Sequence, residues 1–166
     1  MAEVICNTSP LQYLYQAGCL YLLPQLAGRI FVPPAVVEEL VAGIQAGVAL
    51  PDLSQLDWIQ IRQPASLAVL ALVRDLGPGE SQVLALALEL PQPLVILDDL
   101  LARRVAAALH LSLTGTLGVL LSAKRRGLIK AIAPILDKFQ ALQFRLSPQT
   151  RAAVLALVGE EDRQGG

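Results

Sequence analysis

Leu94-Val95-Ile96-Leu97-Asp98-Asp99 is the stretch whose reading decides the fold. Four apolar residues follow Pro91 and Pro93 and read as a strand buried on both faces. Two carboxylates close the run. Adjacent like charges raise each other's pKa and destabilise the ionised pair. A buried strand end accepts such a pair where a cation or a proton-transfer role compensates. The strand-like run Val4-Ile5-Cys6 ends differently, in Asn7.

Apolar runs and helical stretches alternate on either side. Ser9 can cap a helix with Pro10 at its first position, running toward Gly18, and a second helix covers roughly 20–27. Ile30-Phe31-Val32 is a strand. Pro33 and Pro34 open a helix with Val36, Val37 and Leu40 on its apolar side and Glu38 and Glu39 between. Residues 43–57 read as loop, and Trp58-Ile59-Gln60-Ile61 as an edge strand. A helix is expected from Ser66 to Arg74. Gly77-Pro78-Gly79 breaks the chain before a helix from Glu80 to Leu90. Past Asp99 come a helix over 100–109, a short strand Leu111-Ser112-Leu113, and Thr114-Gly115-Thr116 turning into a helix that ends near Arg126-Gly127. Helices over 133–140 and 148–157 follow. Residues 1–158 read as a single domain, and 159–166 as a disordered tail. Uniformly apolar strands, each followed by a helix, indicate an α/β fold whose parallel sheet is covered on both faces. Ligands of such sheets sit at the carboxyl ends of the strands, near the point where strand order reverses.

Composition narrows the function. Hydrophobic residues are 54% and charged residues 16% of the 166, against a usual charged share of about 25%. Charge this sparse covers a monomer poorly, so apolar surface is expected to be buried against a second copy or a partner. A membrane span in the uncharged stretch 4–28 is broken up by Asn7, Pro10, Gln12, Gln16, Gly18 and Pro24. Glu3 and the lack of a basic start argue against a signal peptide. Cys6 and Cys19 have no metal spacing and read as reduced core residues of a cytoplasmic protein. A net charge of −1 gives no general support for nucleic-acid binding.

The strand-end rule selects the polar residues that matter. Asn7, Thr8 and Ser9 follow the first strand, Asp98 and Asp99 the fourth, Thr114 and Thr116 the last. Glu39 lies in the early turns after Pro33, and Glu80 at a helix start. Brought together, these groups would make an all-oxygen site suited to Mg2+ or Mn2+ and not to zinc. Such an ion can activate water and stabilise the charge on a phosphodiester. Plainer roles compete at each position. Glu80 suits a helix N-terminus without any ligand. One of Glu38 and Glu39 reads as a solvated face, Asp98 or Asp99 can serve as an N-cap, and Asn7 and Ser9 can simply form a turn. His110 reads as structural. Arg103 and Arg104 can support the acids through i,i+4 pairing or touch a phosphate. Lys124, Arg125 and Arg126 suit a helix C-terminus.

Four segments in order resemble the PIN-domain family: Ile5-Cys6-Asn7-Thr8-Ser9-Pro10-Leu11, then 32–40 (Val-Pro-Pro-Ala-Val-Val-Glu-Glu-Leu), then 79–87 (Gly-Glu-Ser-Gln-Val-Leu-Ala-Leu-Ala), then Leu94 to Asp99. Ala102-Arg103-Arg104, Thr114-Gly115-Thr116-Leu117-Gly118 and 123–129 resemble one prokaryotic branch of it. The resemblance covers about residues 3–130. It implies a three-layer α/β/α fold with a central parallel sheet of four to five strands. It also implies divalent-metal-dependent ribonuclease activity with Mg2+ or Mn2+, often as the toxin of a toxin–antitoxin pair and often as a homo-oligomer. The family's acids fall on Asn7, Glu39, Glu80 and on Asp98 or Asp99, with Asp99 the better match. These five are the implied catalytic and metal-holding residues. Thr8, Ser9, Arg103, Thr114 and Thr116 are the expected RNA contacts. Asn7 departs from the pattern: an amide lends a carbonyl oxygen to a metal but neither charge nor a carboxylate's basicity. A PIN-fold binding module with a weak or dead site is therefore the rival reading. A phospho-acceptor receiver ranks low, since it requires acids after the first strand and a Lys after the last.

Overall fold

The computed structural model describes residues 2–66 and 75–161. Its elements run β1 (Glu3–Cys6), α1 (Thr8–Gln16), α2 (Leu22–Ala27), β2 (Ile30–Val32), α3 (Pro34–Gln45), β3 (Ile59–Ile61), α4 (Pro78–Ala87), β4 (Pro93–Ile96), α5 (Leu100–Ala108), β5 (Ser112–Thr114), α6 (Thr116–Arg125), α7 (Ala133–Ala141) and α8 (Pro148–Leu157). All five strands are parallel, in the order β3-β2-β1-β4-β5. Helices flank the sheet to give the three-layer α/β/α architecture expected from the sequence. Val4, Ile5 and Cys6 of β1 and Val95 and Ile96 of β4 are all buried. That two-sided burial explains why these strands are continuous apolar runs rather than alternating ones.

The order places the reversal point between β1 and β4. From β1 the chain steps outward through β2 to β3, then returns to β4 on the other side of β1 and continues to β5. Register aligns Cys6 with Ile96, and the Asn7 N–H donates to the Ile96 carbonyl at 3.1 Å. Strand ends β1 and β4 therefore finish side by side where their following helices diverge. This geometry opens a crevice for a ligand.

Several boundaries differ from the sequence expectation. Helix α1 begins at Thr8 with Asn7 at the N-cap, so Ser9 and Pro10 lie inside the first turn. Pro10 is harmless there, since the first N–H groups of a helix have no intrahelical partner. Helix α3 runs on through Ile44 to Gln45, and Asp52 caps a short 3₁₀ turn at Leu53–Gln55, so 43–57 is only partly loop. Strand β5 lies one residue later than expected and takes in Thr114. Strand β3 is the edge strand expected, with Ile61 exposed. The helix expected up to Arg74 falls, beyond Ser66, outside the described residues. Cys6 and Cys19 are free and buried. Among the described residues no helix is long and apolar enough to cross a membrane.

The segment from Gly159, expected to be disordered, is in part a structural clamp. Glu160 accepts the backbone N–H of Ile132 at 2.8 Å and of Ala133 at 3.1 Å, at the start of α7, and pairs with Lys124 at 3.5 Å. Burial raises the Glu160 pKa, but the two N–H donors and Lys124 together outweigh it and hold the carboxyl below its ordinary 4.5. A lowered folded-state pKa gives stability that is fully present above the unfolded value and is lost as pH falls through the folded one. Glu160→Gln is therefore expected to cost about 1–2 kcal/mol at neutral pH. The gap to wild type should narrow below pH 4.5 in denaturant melts across pH.

Candidate active site

Asn7 is fixed by backbone geometry before its side chain does anything. It is extended (φ −82°, ψ 173°) at the end of β1, and its backbone N–H belongs to the β1–β4 ladder. Its side chain is only 3% exposed and makes no capping bond to α1. The amide oxygen Oδ1 is buried without a hydrogen-bond partner. Such a group costs about 1–3 kcal/mol unless something compensates, and buried acceptors of this kind are uncommon.

Beside it, Asp98 and Asp99 separate into different roles. Asp98 is half-buried and reaches across to the β5–α6 turn. Its Oδ1 accepts the Thr116 N–H at 2.8 Å, and its Oδ2 accepts the Thr116 hydroxyl at 2.5 Å. Gly115 makes room for this: a Cβ there would lie 2.8 Å from Asp98 Oδ1. Asp99 is exposed and caps α5, its Oδ2 accepting the Ala102 N–H at 2.9 Å. Asp98 also reaches Cys6 electrostatically: burial first, and the Asp98 charge second, push that thiol well above its usual range. Thr116, expected to touch RNA, is wholly buried and donates both its N–H and its hydroxyl to Asp98. It positions that carboxylate and is not among the residues lining the cleft described below.

Glu39 is held by two other elements. Its Oε1 accepts the Gly79 N–H at 3.0 Å, and its Oε2 accepts the Thr8 hydroxyl. It thus ties α3 to the first turns of α1 and α4. A Cβ on Gly79 would lie 2.7 Å from both Glu39 oxygens, so the glycine is what allows the approach. Thr8 faces Glu39 and is not among the residues lining the cleft described below. Glu80 stands in the first turn of α4, where the unpaired N–H groups favour a carboxylate. Glu38 is exposed, matching the solvated-face reading for one of the pair.

Asn7, Ser9, Glu80, Asp98 and Asp99 share one cleft of about 970 Å³ at the carboxyl ends of β1 and β4. Thr114 and Arg103 line it too. The Arg103 Nη1 donates to the Leu97 carbonyl at 2.8 Å, which lays its guanidinium along the strand end. Arg104 does not line the cleft. Lys124 is engaged with Glu160, and Arg126 donates to the Leu26 carbonyl at 3.1 Å. Both make contacts away from the cleft. Sequence reasoning missed Tyr13, Leu117 and the α7–α8 connection Gln143-Phe144-Arg145, all of which line the cleft. No spacing rule links residue 145 to residue 7. The only available signal was an aromatic–arginine pair between two helices.

The donor set can be tested against a divalent cation. The cleft lining includes the carboxylates of Glu80, Asp98 and Asp99, the buried and unpartnered amide oxygen of Asn7, and the cationic Arg103. That chemistry fits a hard cation such as Mg2+ or Mn2+. Among the described residues, no three of His, Cys, Asp and Glu are gathered closely enough to form a ligand cluster by themselves. The amide of Asn7 would therefore have to take part.

A three-layer α/β/α fold with acidic strand ends at its reversal point places the chain among parallel-sheet domains that take a ligand there. A family model described as a PIN domain matches residues 3–160, and the chain belongs to the PIN-domain family. That family consists in general of nucleases. No curated protein and no solved structure matches the chain.

Proposed function

We propose that this protein is a divalent-metal-dependent endoribonuclease that hydrolyses RNA phosphodiester bonds, and that it is the toxin half of a toxin–antitoxin pair. The observation that carries the reading is the buried, unpartnered Asn7 Oδ1 in a cleft shared with Asp98, Asp99 and Glu80. Asn7 and Asp98 are the donors best placed to hold Mg2+ or Mn2+, with water filling the remaining positions. A bound ion of this type supplies Lewis-acid charge to a phosphoryl oxygen and lowers the pKa of water. The chain's own residues do the rest. Thr116 fixes the Asp98 carboxylate, Glu39 holds the first turn of α4 and hence Glu80, and Arg103 offers a cation to the phosphate. Asp99 and Glu80 are the candidate proton acceptors for the attacking water. Of Asp98 and Asp99, the half-buried Asp98 is the stronger metal-holding candidate, because Asp99 is exposed and engaged as a cap.

Exposed Tyr15, Tyr21, Leu100 and Leu101, together with the sparse charge, support burial against an antitoxin or a second copy. Two buried free thiols support a cytoplasmic setting. A second reading, a PIN-fold binding module with little activity, is favoured by the amide at position 7 and by the absence of a three-acid cluster among the described residues. The deciding experiment is cleavage of a labelled single-stranded RNA by the purified chain, with Mn2+ and with EDTA. Metal-dependent cleavage by wild type supports the ribonuclease. Its absence at millimolar Mn2+ supports the binding module.

A further inference from the structure

Helix α7 ends in a turn that ought to contain glycine and does not. The Phe144 N–H donates to the Phe139 carbonyl and the Gln143 N–H to the Gln140 carbonyl, at 2.9 and 3.1 Å. The Phe144 and Phe139 rings pack 5.1 Å apart. This is the Schellman ending, whose central residue is left-handed and usually glycine. Gln143 occupies it at φ +65°. Helix α5 ends the same way at His110, φ +60°, so the strain marks no function by itself; what matters is where the turn sends the chain. The consequence of the turn is that Gln143, Phe144 and Arg145 are all brought to the rim of the acidic cleft. Phe144 is braced there edge-on against Tyr13, with ring centroids 4.9 Å apart, and Tyr13 also lines the cleft.

The cleft is thus lined by carboxylates, by Arg103, and by two aromatic rings in contact with each other, with Arg145 next to one of them in sequence. We infer that the wall formed by Tyr13 and the α7–α8 connection is a track for a single-stranded RNA. Arg145 takes a phosphate next to the one that is cut, and the half-buried Tyr13–Phe144 pair takes the adjoining base. The inference rests on the ribonuclease reading and extends it to a segment that the acidic site does not include. A single strand suits this wall because its bases are free to stack on side chains, whereas those of a duplex are already stacked on each other.

The test is equilibrium binding of a fluorescein-labelled single-stranded RNA 12-mer and its duplex to the full chain, in EDTA, across a salt series. Wild type is expected to prefer the single strand. Arg145→Ala, an exposed site, should weaken binding about ten-fold and flatten the log–log salt slope by about 0.7, the value for one phosphate on a single strand. Phe144→Leu keeps apolar bulk in the Phe139 cluster but loses the ring, and should weaken binding about five-fold or more. Arg29→Ala removes a cation paired with Glu3 at the opposite ends of the strands and should change neither quantity. Unchanged affinity and slope in Arg145→Ala, or a preference for duplex, overturns the inference. Because EDTA removes any need for cleavage, the two readings fail separately. Wild type that binds in this way but never cleaves with Mn2+ fails only as a ribonuclease. Wild type that cleaves while Arg145→Ala binds normally fails only on the track.

Discussion

Asp98→Ala is expected to unfold more easily than wild type by about 2–4 kcal/mol, while Asp98→Asn keeps the fold and loses activity. The stability term comes from Thr116. That residue is wholly buried, and its N–H and hydroxyl both end on the Asp98 carboxylate. Removing the acceptor strands two buried donors, each worth about 1–3 kcal/mol when left unmade. The asparagine variant still presents Oδ1 to the Thr116 N–H, and the hydroxyl can turn to accept from the new amide. What it lacks is the negative charge next to Asn7. Loss of one electrostatic group at a reacting centre commonly reduces rate about 10²–10³-fold, and a drop of that size is expected in RNA cleavage. Urea melts and single-turnover cleavage on the two variants separate the effects. Equal stability of Asp98→Ala and wild type would show that the Thr116 contacts carry no weight.

Asn7→Asp is expected to make stability depend on metal. The new carboxylate would be as buried as the amide it replaces, at 3% exposure, with Asp98 beside it. An uncompensated buried charge next to a like charge should cost about 2–4 kcal/mol without metal. Its pKa would be raised in the folded state, so the penalty is full above that raised value and fades as pH falls toward the ordinary carboxylate range. A divalent ion reverses the balance. At one hundred times its Kd, a ligand bound only by the folded state returns about 2.7 kcal/mol. Thermal melts with EDTA and with Mn2+ should therefore diverge strongly for this variant and much less for wild type. A variant as stable as wild type in EDTA and indifferent to Mn2+ would mean that position 7 does not face the proposed site.

The sheet was legible because burial on both faces leaves an unmistakable mark. Val4 to Cys6, Ile30 to Val32 and Leu94 to Leu97 are apolar at every position, with Pro33-Pro34 closing the second run and Pro91 and Pro93 preceding the third. Where side chains did not speak for one state, boundaries moved. Helix α3 runs on to Gln45, into the 43–57 stretch that reads as loop, and β-branched Thr114 joins β5 although it reads equally well as the start of a turn. The site was legible as a set of strand ends but not as a set of contacts. Nothing local shows that Asp98 turns to Thr116 while Asp99 caps α5, since either carboxylate can cap. Nor does spacing reveal that Glu39 meets Gly79, forty positions later. Arg145 was invisible for the same reason: only the folded turn at Gln143 carries it to the cleft.

The central claim is that the cleft between β1 and β4 holds a divalent cation through Asn7 and Asp98. Calorimetric titration of Mn2+ into the metal-free chain tests it most directly. Saturable binding near one ion per chain, lost in Asp98→Asn and tightened in Asn7→Asp, is the expected result. No binding at millimolar Mn2+, or identical binding by wild type and Asp98→Asn, would contradict it.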